Sequence, residues 1–194
     1  MRFALQLIAY PIAVLAASSS KARQSGLDGP FTASVWTPYI IDQEINASGG
    51  KFYVNKPTET YCPSGVNGLD CSDFDGSETV FDLGYNDGMG LDVTVPGGQQ
   101  VYIAPDGSLS FTQAHSAYIP PGSTVFGFWR EQGPEPDTSY LRIVDLLWVI
   151  CSVSDGYPGK RVYQIFASVD PNEACFRTEI KTHDSDSSKV WQYI

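Results

Sequence analysis

Residues 99–112 read QQVYIAPDGSLSFT, and this stretch decides the fold class. Apolar and polar residues alternate on both sides of Pro105-Asp106-Gly107, and the apolar positions are Val101, Ile103, Leu109 and Phe111. Pro and Asp favour the first positions of a type I turn, and the glycine that follows accepts a positive φ. The stretch therefore predicts a β-hairpin with one buried face.

The rest of the chain repeats this pattern of short apolar runs and turns. Runs rich in Val, Ile, Tyr, Phe and Thr are separated by turn residues, and the 18 glycines and 13 prolines are spread along the chain. No long window shows the apolar period of an amphipathic helix. We therefore predict an all-β fold, in which the apolar stretch 139–153 is core and Asp145 marks a bend in it.

Related segments indicate an internal repeat. Three segments have a glycine, then a polar residue, and then an apolar residue next to a tyrosine. They are GGKFYV (49–54), GGQQVYI (97–103) and PGKRVYQI (158–165). Each lies after a segment built on a phenylalanine: Phe31, Phe81 or Phe126. Three successive units of this kind predict a β-trefoil-like barrel, with a β-sandwich as the alternative.

The first residues have the features of a secretory signal peptide. MRFALQLIAYPIAVLAASSS has a basic residue at Arg2, an uncharged apolar run to about Ala16, and then small residues. The run is about 14 residues long, shorter than the roughly 20 that span a bilayer, and Pro11 interrupts it. We therefore favour a cleaved signal peptide over a membrane anchor, with the cut after Ala16 or Ala17.

This cut divides the chain into four expected parts. Residues 1–17 are the signal peptide, 18–28 a flexible mature N-terminus, 29–182 a single all-β domain, and 183–194 a C-terminal tail. The tail is rich in Ser and Asp before it ends in an aromatic cluster. It is therefore expected either to fray or to dock through Trp191 and Tyr193.

The charge of the chain argues against nucleic acid and anionic membranes as partners. The formal net charge is −10, and the loss of Arg2 with the signal peptide makes it about −11. No Lys or Arg occurs between Lys56 and Arg130, an interval that holds nine acidic residues. Because phosphate-rich partners are bound by clustered Lys and Arg, this surface would repel them.

Four cysteines in an exported chain predict two disulfides. We favour Cys62 with Cys71 and Cys151 with Cys175, because each pair closes a short loop, although spacing leaves the other pairings open. The spacings match no zinc finger pattern, and we expect no metal or cofactor. Asn46-Ala47-Ser48 is a glycosylation sequon and predicts a surface turn, together with Gly49-Gly50.

Catalytic patterns are absent or ambiguous. The two histidines are His115 and His183, and no GxSxG motif or comparable sequence surrounds the former, so we expect no catalytic triad. Paired carboxylates would suit glycoside hydrolysis, but 22 acidic residues offer too many candidates to choose from. Residues 70–82 also contain an acidic cluster whose carboxylates are oxygen ligands of the kind that calcium takes. The cluster lacks the spacing of an EF-hand loop. Its members are Asp70, Asp73, Asp75, Glu78 and Asp82.

Exposed aromatic side chains are the remaining candidates for a binding site, because their faces stack on sugar rings. Most of the 11 tyrosines and four tryptophans are expected in the core. Three lie near turns or polar insertions and are the candidates for display: Trp36, Trp129 and Tyr157.

Two long stretches resemble a family of fungal secreted proteins described as IgE-binding or non-anchored cell-wall proteins. They are INASGGKFYVNKPTETYCPSG (45–65) and LDVTVPGGQQVYIAPDGSLSFTQAHSAYIPPGS (91–123), with a weaker match in VICSVSDGYPGKRVYQIFA (149–167). The resemblance implies secretion, association with the cell wall and reactivity with host IgE. It places no catalytic or binding residue, and the chain departs from the family pattern after Phe31, in WREQGPEPDTS, and after Lys181.

The sequence therefore predicts a secreted, non-enzymatic extracellular or cell-wall protein, with wall polysaccharide as the expected partner. One alternative is an interaction protein, such as a protease inhibitor or host-directed effector, that acts through loops on a rigid scaffold. Another is a carboxylate-dependent glycoside hydrolase. A concave site that gathers polar groups beside an exposed aromatic side chain would be the strongest indication of a ligand.

Overall fold

Short strands make up nearly all the regular structure of the computed structural model, which describes residue 27 and residues 29–153, 161–168 and 175–194. The strands are β1 (Phe31–Trp36), β2 (Gln43–Ser48), β3 (Lys51–Val54), β4 (Thr60–Tyr61), β5 (Phe81–Leu83), β6 (Met89–Leu91), β7 (Gln99–Ile103), β8 (Leu109–Phe111), β9 (Phe128–Gln132), β10 (Ser139–Ile143), β11 (Leu147–Val153), β12 (Val162–Ser168), β13 (Cys175–Arg177), β14 (Glu179–Asp184) and β15 (Gln192–Tyr193). Two 3₁₀ turns, at Cys71–Asp73 and Tyr85–Asp87, are the helical elements of these ranges. The all-β prediction is confirmed.

Some sequence predictions fall on other parts of the chain. The expected signal peptide (1–17), all of the expected flexible segment (18–28) except Leu27, and Tyr157 lie outside the described residues. Within the described ranges, no helix is long and apolar enough to cross a membrane.

The predicted hairpin is strands β7 and β8, and its turn has the expected chemistry. Gly107 has a φ of 83° and its N–H donates to the Ala104 carbonyl oxygen at 2.8 Å. The Asp106 carboxylate accepts from both the backbone N–H and the hydroxyl of Ser108, at 2.9 and 2.7 Å. All four apolar positions of the predicted face are buried: Val101, Ile103, Leu109 and Phe111.

Seven antiparallel strands close into a barrel, which confirms the barrel prediction. The ring runs β1, β2, β3, β8, β7, β6, β5 and back to β1. Four buried phenylalanines from β1, β3, β5 and β8 contact one another inside it, with ring centroids 5.2–5.5 Å apart: Phe31, Phe81, Phe52 and Phe111. Such aromatic packing fills a small barrel without leaving a lumen.

The three expected repeat units are not equivalent in the structure. Strands β3 and β7 of the first two units belong to the ring, whereas β12 of the third unit pairs with β3 outside it. Phe31 and Phe81 stack in the core, but Phe126 precedes β9 and is 56% exposed. Gly127, with a φ of 92°, turns the chain there, and Phe128 takes the core position instead.

Two groups of strands extend from the ring. Strands β14, β10 and β9 continue from β1, and strands β12, β11 and β13 continue from β3. The stretch 139–153 forms β10 and β11 with a turn at Asp145, which has a φ of 58°, as its pattern predicts. Val144 and Leu147 are exposed rather than core, because they flank this turn.

Both predicted disulfides are present, Cys62–Cys71 and Cys151–Cys175. The second joins directly paired residues of β11 and β13. The last residues dock rather than fray, because β15 pairs with β4 and Tyr193 is buried. The boundary expected at residue 182 falls inside β14.

Candidate functional site

The strand register places two of the predicted aromatic residues on the same surface. Trp36 is paired with Glu179 across β1 and β14, and Trp129 with Arg142 across β9 and β10. Directly paired residues of antiparallel strands project from the same side of the sheet. Tyr140 is paired with both Lys181 and Glu131, so it belongs to this side as well.

We call this surface the aromatic face. It consists of Trp36 from β1, Glu179 and Lys181 from β14, Tyr140 and Arg142 from β10, and Trp129 and Glu131 from β9. The face exists because every second residue of these strands points the other way into the core, namely Val35, Ile180, Leu141 and Phe128. From β1 to β9 it spans three strand spacings, about 14 Å.

Each cation of the aromatic face lies against an aromatic ring and a carboxylate. Lys181 Nζ lies 5.7 Å from the centre of the Trp36 ring and 3.4 Å from an Asp42 carboxylate oxygen. The Arg142 guanidinium lies 5.0 Å from the centre of the Tyr140 ring. These cation–π contacts hold the rings in place.

Arg142 also joins two carboxylates. Its Nε donates to Glu131 at 2.9 Å, and its Nη1 donates to Glu179. Burial lowers the pKa of Arg142, but the hydrogen bonds to the two carboxylates outweigh it and raise that pKa above its ordinary value. The guanidinium is therefore a permanent charge that fixes both carboxylates.

The sequence predicted part of this site. Two of the three aromatics predicted for display lie on it, Trp36, which is 41% exposed, and Trp129, which is half-buried, and their part in ligand binding stays a prediction. Tyr140 and Arg142 were missed because they lie in the stretch 139–153, which was predicted as core. Lys181 was missed because the pairing of its strand β14 with β1 and β10 was not predicted from the sequence. The signal was the alternation in SYLRI and EIKTHD, where large polar residues occupy every second position.

The histidines are not arranged as a catalytic triad. His183 Nε2 lies 3.3 Å from the hydroxyl oxygen of Ser34, and in the described part of the chain no carboxylate is hydrogen-bonded to the imidazole. His115, with a φ of 59°, lines a shallow cavity with Gln100 and Thr112. A triad needs a carboxylate that orients the histidine as well as a nucleophile beside it.

The acidic cluster does not gather around one point. The Asp70 carboxylate accepts from the Ser72 N–H and hydroxyl, at 2.9 and 2.8 Å, and these bonds lower the pKa of Asp70. Asp82 lies on a different element, β5. Among the residues that the structure describes, no three His, Cys, Asp or Glu side chains are close enough to hold a metal ion.

The glycosylation sequon lies in a strand rather than in the predicted turn. Asn46 is within β2, and the turn follows at Gly49-Gly50. The Asn46 side-chain oxygen accepts from Thr58 Oγ1 at 2.9 Å, while Ala47 and Ser48 are buried. Glycosylation of Asn46 stays a prediction.

Comparisons with known proteins agree with export. The family model PhiA, described as PhiA-like secreted protein, matches residues 33–194, a range that includes the whole aromatic face. An uncharacterized secreted protein of Arthroderma benhamiae is 39% identical over 127 residues, which are 64% of this chain and 60% of that relative. The match thus spans less than two thirds of the relative, and no solved structure matches the chain. The chain belongs to the family of PhiA-like secreted proteins and is an extracellular protein.

Proposed function

We propose that this secreted protein binds cell-wall polysaccharide through the aromatic face, without catalysing a reaction. The observation that carries the proposal is the register that displays Trp36, Tyr140 and Trp129 together on one sheet surface. Aromatic faces stack on the C–H faces of sugar rings, and carboxylates and guanidinium groups hydrogen-bond to the hydroxyls. An array about 14 Å wide suits a chain of several sugars better than a single ring.

The charges of the face favour an uncharged polysaccharide. Lys181 is paired with Asp42, and Arg142 is paired with Glu131 and Glu179, so three carboxylates surround two cations. The protein as a whole is also strongly acidic, with a net charge of −10. An anionic polymer would therefore find no unpaired cation on this surface and would be repelled at long range.

The same arrangement argues for binding rather than hydrolysis. A glycosidase keeps one of its two carboxyl groups protonated so that it can act as the acid. Glu131 and Glu179 instead both accept hydrogen bonds from one guanidinium, that of Arg142, so the two carboxylates share a structural partner rather than being set apart as an acid and a nucleophile. We expect no release of reducing sugar from any bound polymer, and a release that Glu131→Gln abolishes would favour the hydrolase alternative.

Co-sedimentation with insoluble chitin, β-glucan and mannan tests the proposal. We expect the protein to bind at least one polymer, and Trp36→Ala or Tyr140→Ala to weaken that binding about tenfold, because each removes a stacking surface. Tyr118→Ala is the matched control, since Tyr118 is an exposed aromatic outside the aromatic face and its loss should leave binding unchanged. Absence of binding to all three polymers, or full binding by Trp36→Ala, would overturn the proposal.

Reactivity with host IgE, which the family resemblance implies, is a separate prediction. It concerns surface epitopes and needs no ligand site. Immunoblots of the native protein with sera of sensitised hosts would check it.

A further inference from the structure

A notch one residue wide opens on the outer surface of the barrel, where β5, β6 and β7 run side by side. Gly90 of β6 is paired with Asp82 of β5 on one side and with Gln100 of β7 on the other. The side chains of Asp82 and Gln100 are exposed. Because paired residues project from the same side of a sheet, the missing side chain of Gly90 leaves a gap between a carboxylate and an amide.

An exposed aromatic ring and two turns border this notch. Phe126, which is 56% exposed, lines the same cavity, whose volume is about 320 Å³. One rim is the 84–88 turn, in which Gly84 N–H donates to the Gly88 carbonyl oxygen at 2.9 Å, and the other is the 95–98 turn, in which Gly98 N–H donates to the Val95 carbonyl oxygen at 3.0 Å. The cavity is thus formed by strands and hydrogen-bonded turns rather than by an unsupported loop.

The polar groups of the notch suit hydroxyls. Within the described residues the side-chain amide of the exposed Gln100 makes no hydrogen bond to the protein, so its donors and its acceptor are available to a ligand. A carboxylate accepts hydrogen bonds, and an amide both donates and accepts. With an aromatic ring beside them, these groups match a ligand that has hydroxyls on its rim and C–H groups on its face.

We propose that this notch is a second saccharide site, which binds one or two rings of an uncharged sugar with Phe126 stacked on a ring and Asp82 and Gln100 bonded to its hydroxyls. The cavity volume lies at the lower end of the range for small-molecule sites, which suits a disaccharide segment better than a long chain. The site uses none of the residues of the aromatic face. It therefore stands or falls independently of the polysaccharide binding proposed above.

Gly90→Val tests the notch with little risk to the fold. The nearest atom that a Cβ at Gly90 would meet is the Gln99 carbonyl oxygen at 3.4 Å, which is van der Waals contact, and Gly90 does not have a positive φ. Valine also favours strands. The variant should therefore fold and keep its thermal stability while its side chain fills the gap.

Titrations with cellobiose, laminaribiose, N,N′-diacetylchitobiose and mannobiose, followed by NMR, would report binding directly. We expect the wild type to bind at least one of them, Gly90→Val and Phe126→Ala to bind at least about tenfold more weakly, and Trp36→Ala to bind as the wild type does. Phe176→Ala is the matched control, because Phe176 is an exposed phenylalanine on β13, a strand that lies outside the ring and pairs with none of β5, β6 and β7. If none of the four sugars binds, or if folded Gly90→Val binds as well as the wild type, the notch is not a saccharide site.

Discussion

At the scale of single residues, the buried Arg130 is expected to stabilise the fold. Its side chain is 1% exposed, and its guanidinium donates to Thr182, Ser139, the Leu27 carbonyl oxygen and Asp184, at 2.6–3.2 Å. It also lies 4.8 Å from the centre of the Phe31 ring. Arg130 therefore connects β9, β10, β14 and β1 from the inner side of the sheet whose other side is the aromatic face.

Arg130→Met should lower the free energy of unfolding by about 2 kcal/mol in urea denaturation. The loss should stay below that of a fully buried ion pair, because the Asp184 side chain is 76% exposed and Ser139 and Thr182 still bond to each other. Arg142→Met on the exposed side is the control and should cost less than about 1 kcal/mol. Equal losses for the two variants would contradict this account.

Asp106 should stabilise the β7–β8 turn only while it is ionised. The Ser108 hydroxyl and N–H bonds lower the pKa of Asp106, although burial partly opposes them. A lowered pKa in the folded state gives stability that is complete above the unfolded pKa, about 3.9, and that is lost as the pH falls below it. Asp106→Ala should therefore cost about 1 kcal/mol near neutral pH and almost nothing in strong acid, measured by urea denaturation at each pH. A cost that does not change with pH would be the contrary result.

At the scale of elements, the C-terminal strand β15 is held by Tyr193. The buried hydroxyl donates to the Glu78 carbonyl oxygen at 2.8 Å and accepts from the Val80 N–H at 3.0 Å. The Tyr193 backbone also exchanges hydrogen bonds with the Gln99 side chain, at 2.8 and 2.9 Å. Tyr193 thus joins the end of the chain to β7 through its backbone and to the segment before β5 through its hydroxyl.

Tyr193→Phe should cost about 1–3 kcal/mol, because the Val80 N–H loses its acceptor in a buried place. Burial raises the pKa of Tyr193 to about 12. A raised pKa in the folded state gives stability that is complete below the unfolded value of about 10 and is lost as the pH rises toward 12. The stability difference between wild type and variant, measured by denaturation, should therefore shrink above about pH 10. If the stability difference grows above about pH 10 instead, the Tyr193 hydroxyl does not make the buried hydrogen bonds to Glu78 and Val80.

At the scale of the whole molecule, the acidic surface and the paired charges of the aromatic face predict how salt affects binding. Raising the salt from about 0.1 M to about 1 M shortens the Debye length from about 10 to about 3 Å and screens attraction between opposite charges. Stacking on an uncharged polymer should survive this change with less than about a twofold loss of affinity. Co-sedimentation at the two salt concentrations checks it, and a steep loss would mean that the protein recognises a charged polymer.

Local patterns were enough for the sequence to predict the β7–β8 hairpin and the bend at Asp145, and they favoured the disulfide pairing that the structure shows. The barrel was predicted from the longer internal repeat. Strand period, turn chemistry and short loop closure all act over a few residues, so they can be read from neighbouring positions. The repeat was a weaker guide, because positive φ at Gly127 exchanges Phe126 for Phe128 in the core. The docking of residues 190–193 also depended on partners about a hundred positions away, such as Gln99.

The sequence by itself determined that this is an exported, disulfide-bonded β protein, because those properties depend on local composition and spacing. Only the tertiary structure decided which side chains share a surface. Pairing of β1 with β14 unites positions more than 140 residues apart, and with the pairing of β14, β10 and β9 it sets Trp36, Tyr140 and Trp129 on one face. The pairing of β6 with β5 and β7 leaves the notch at Gly90. The reason is that a one-residue change of register would turn every side chain of a strand to the opposite face, and no local pattern reports which register distant strands adopt.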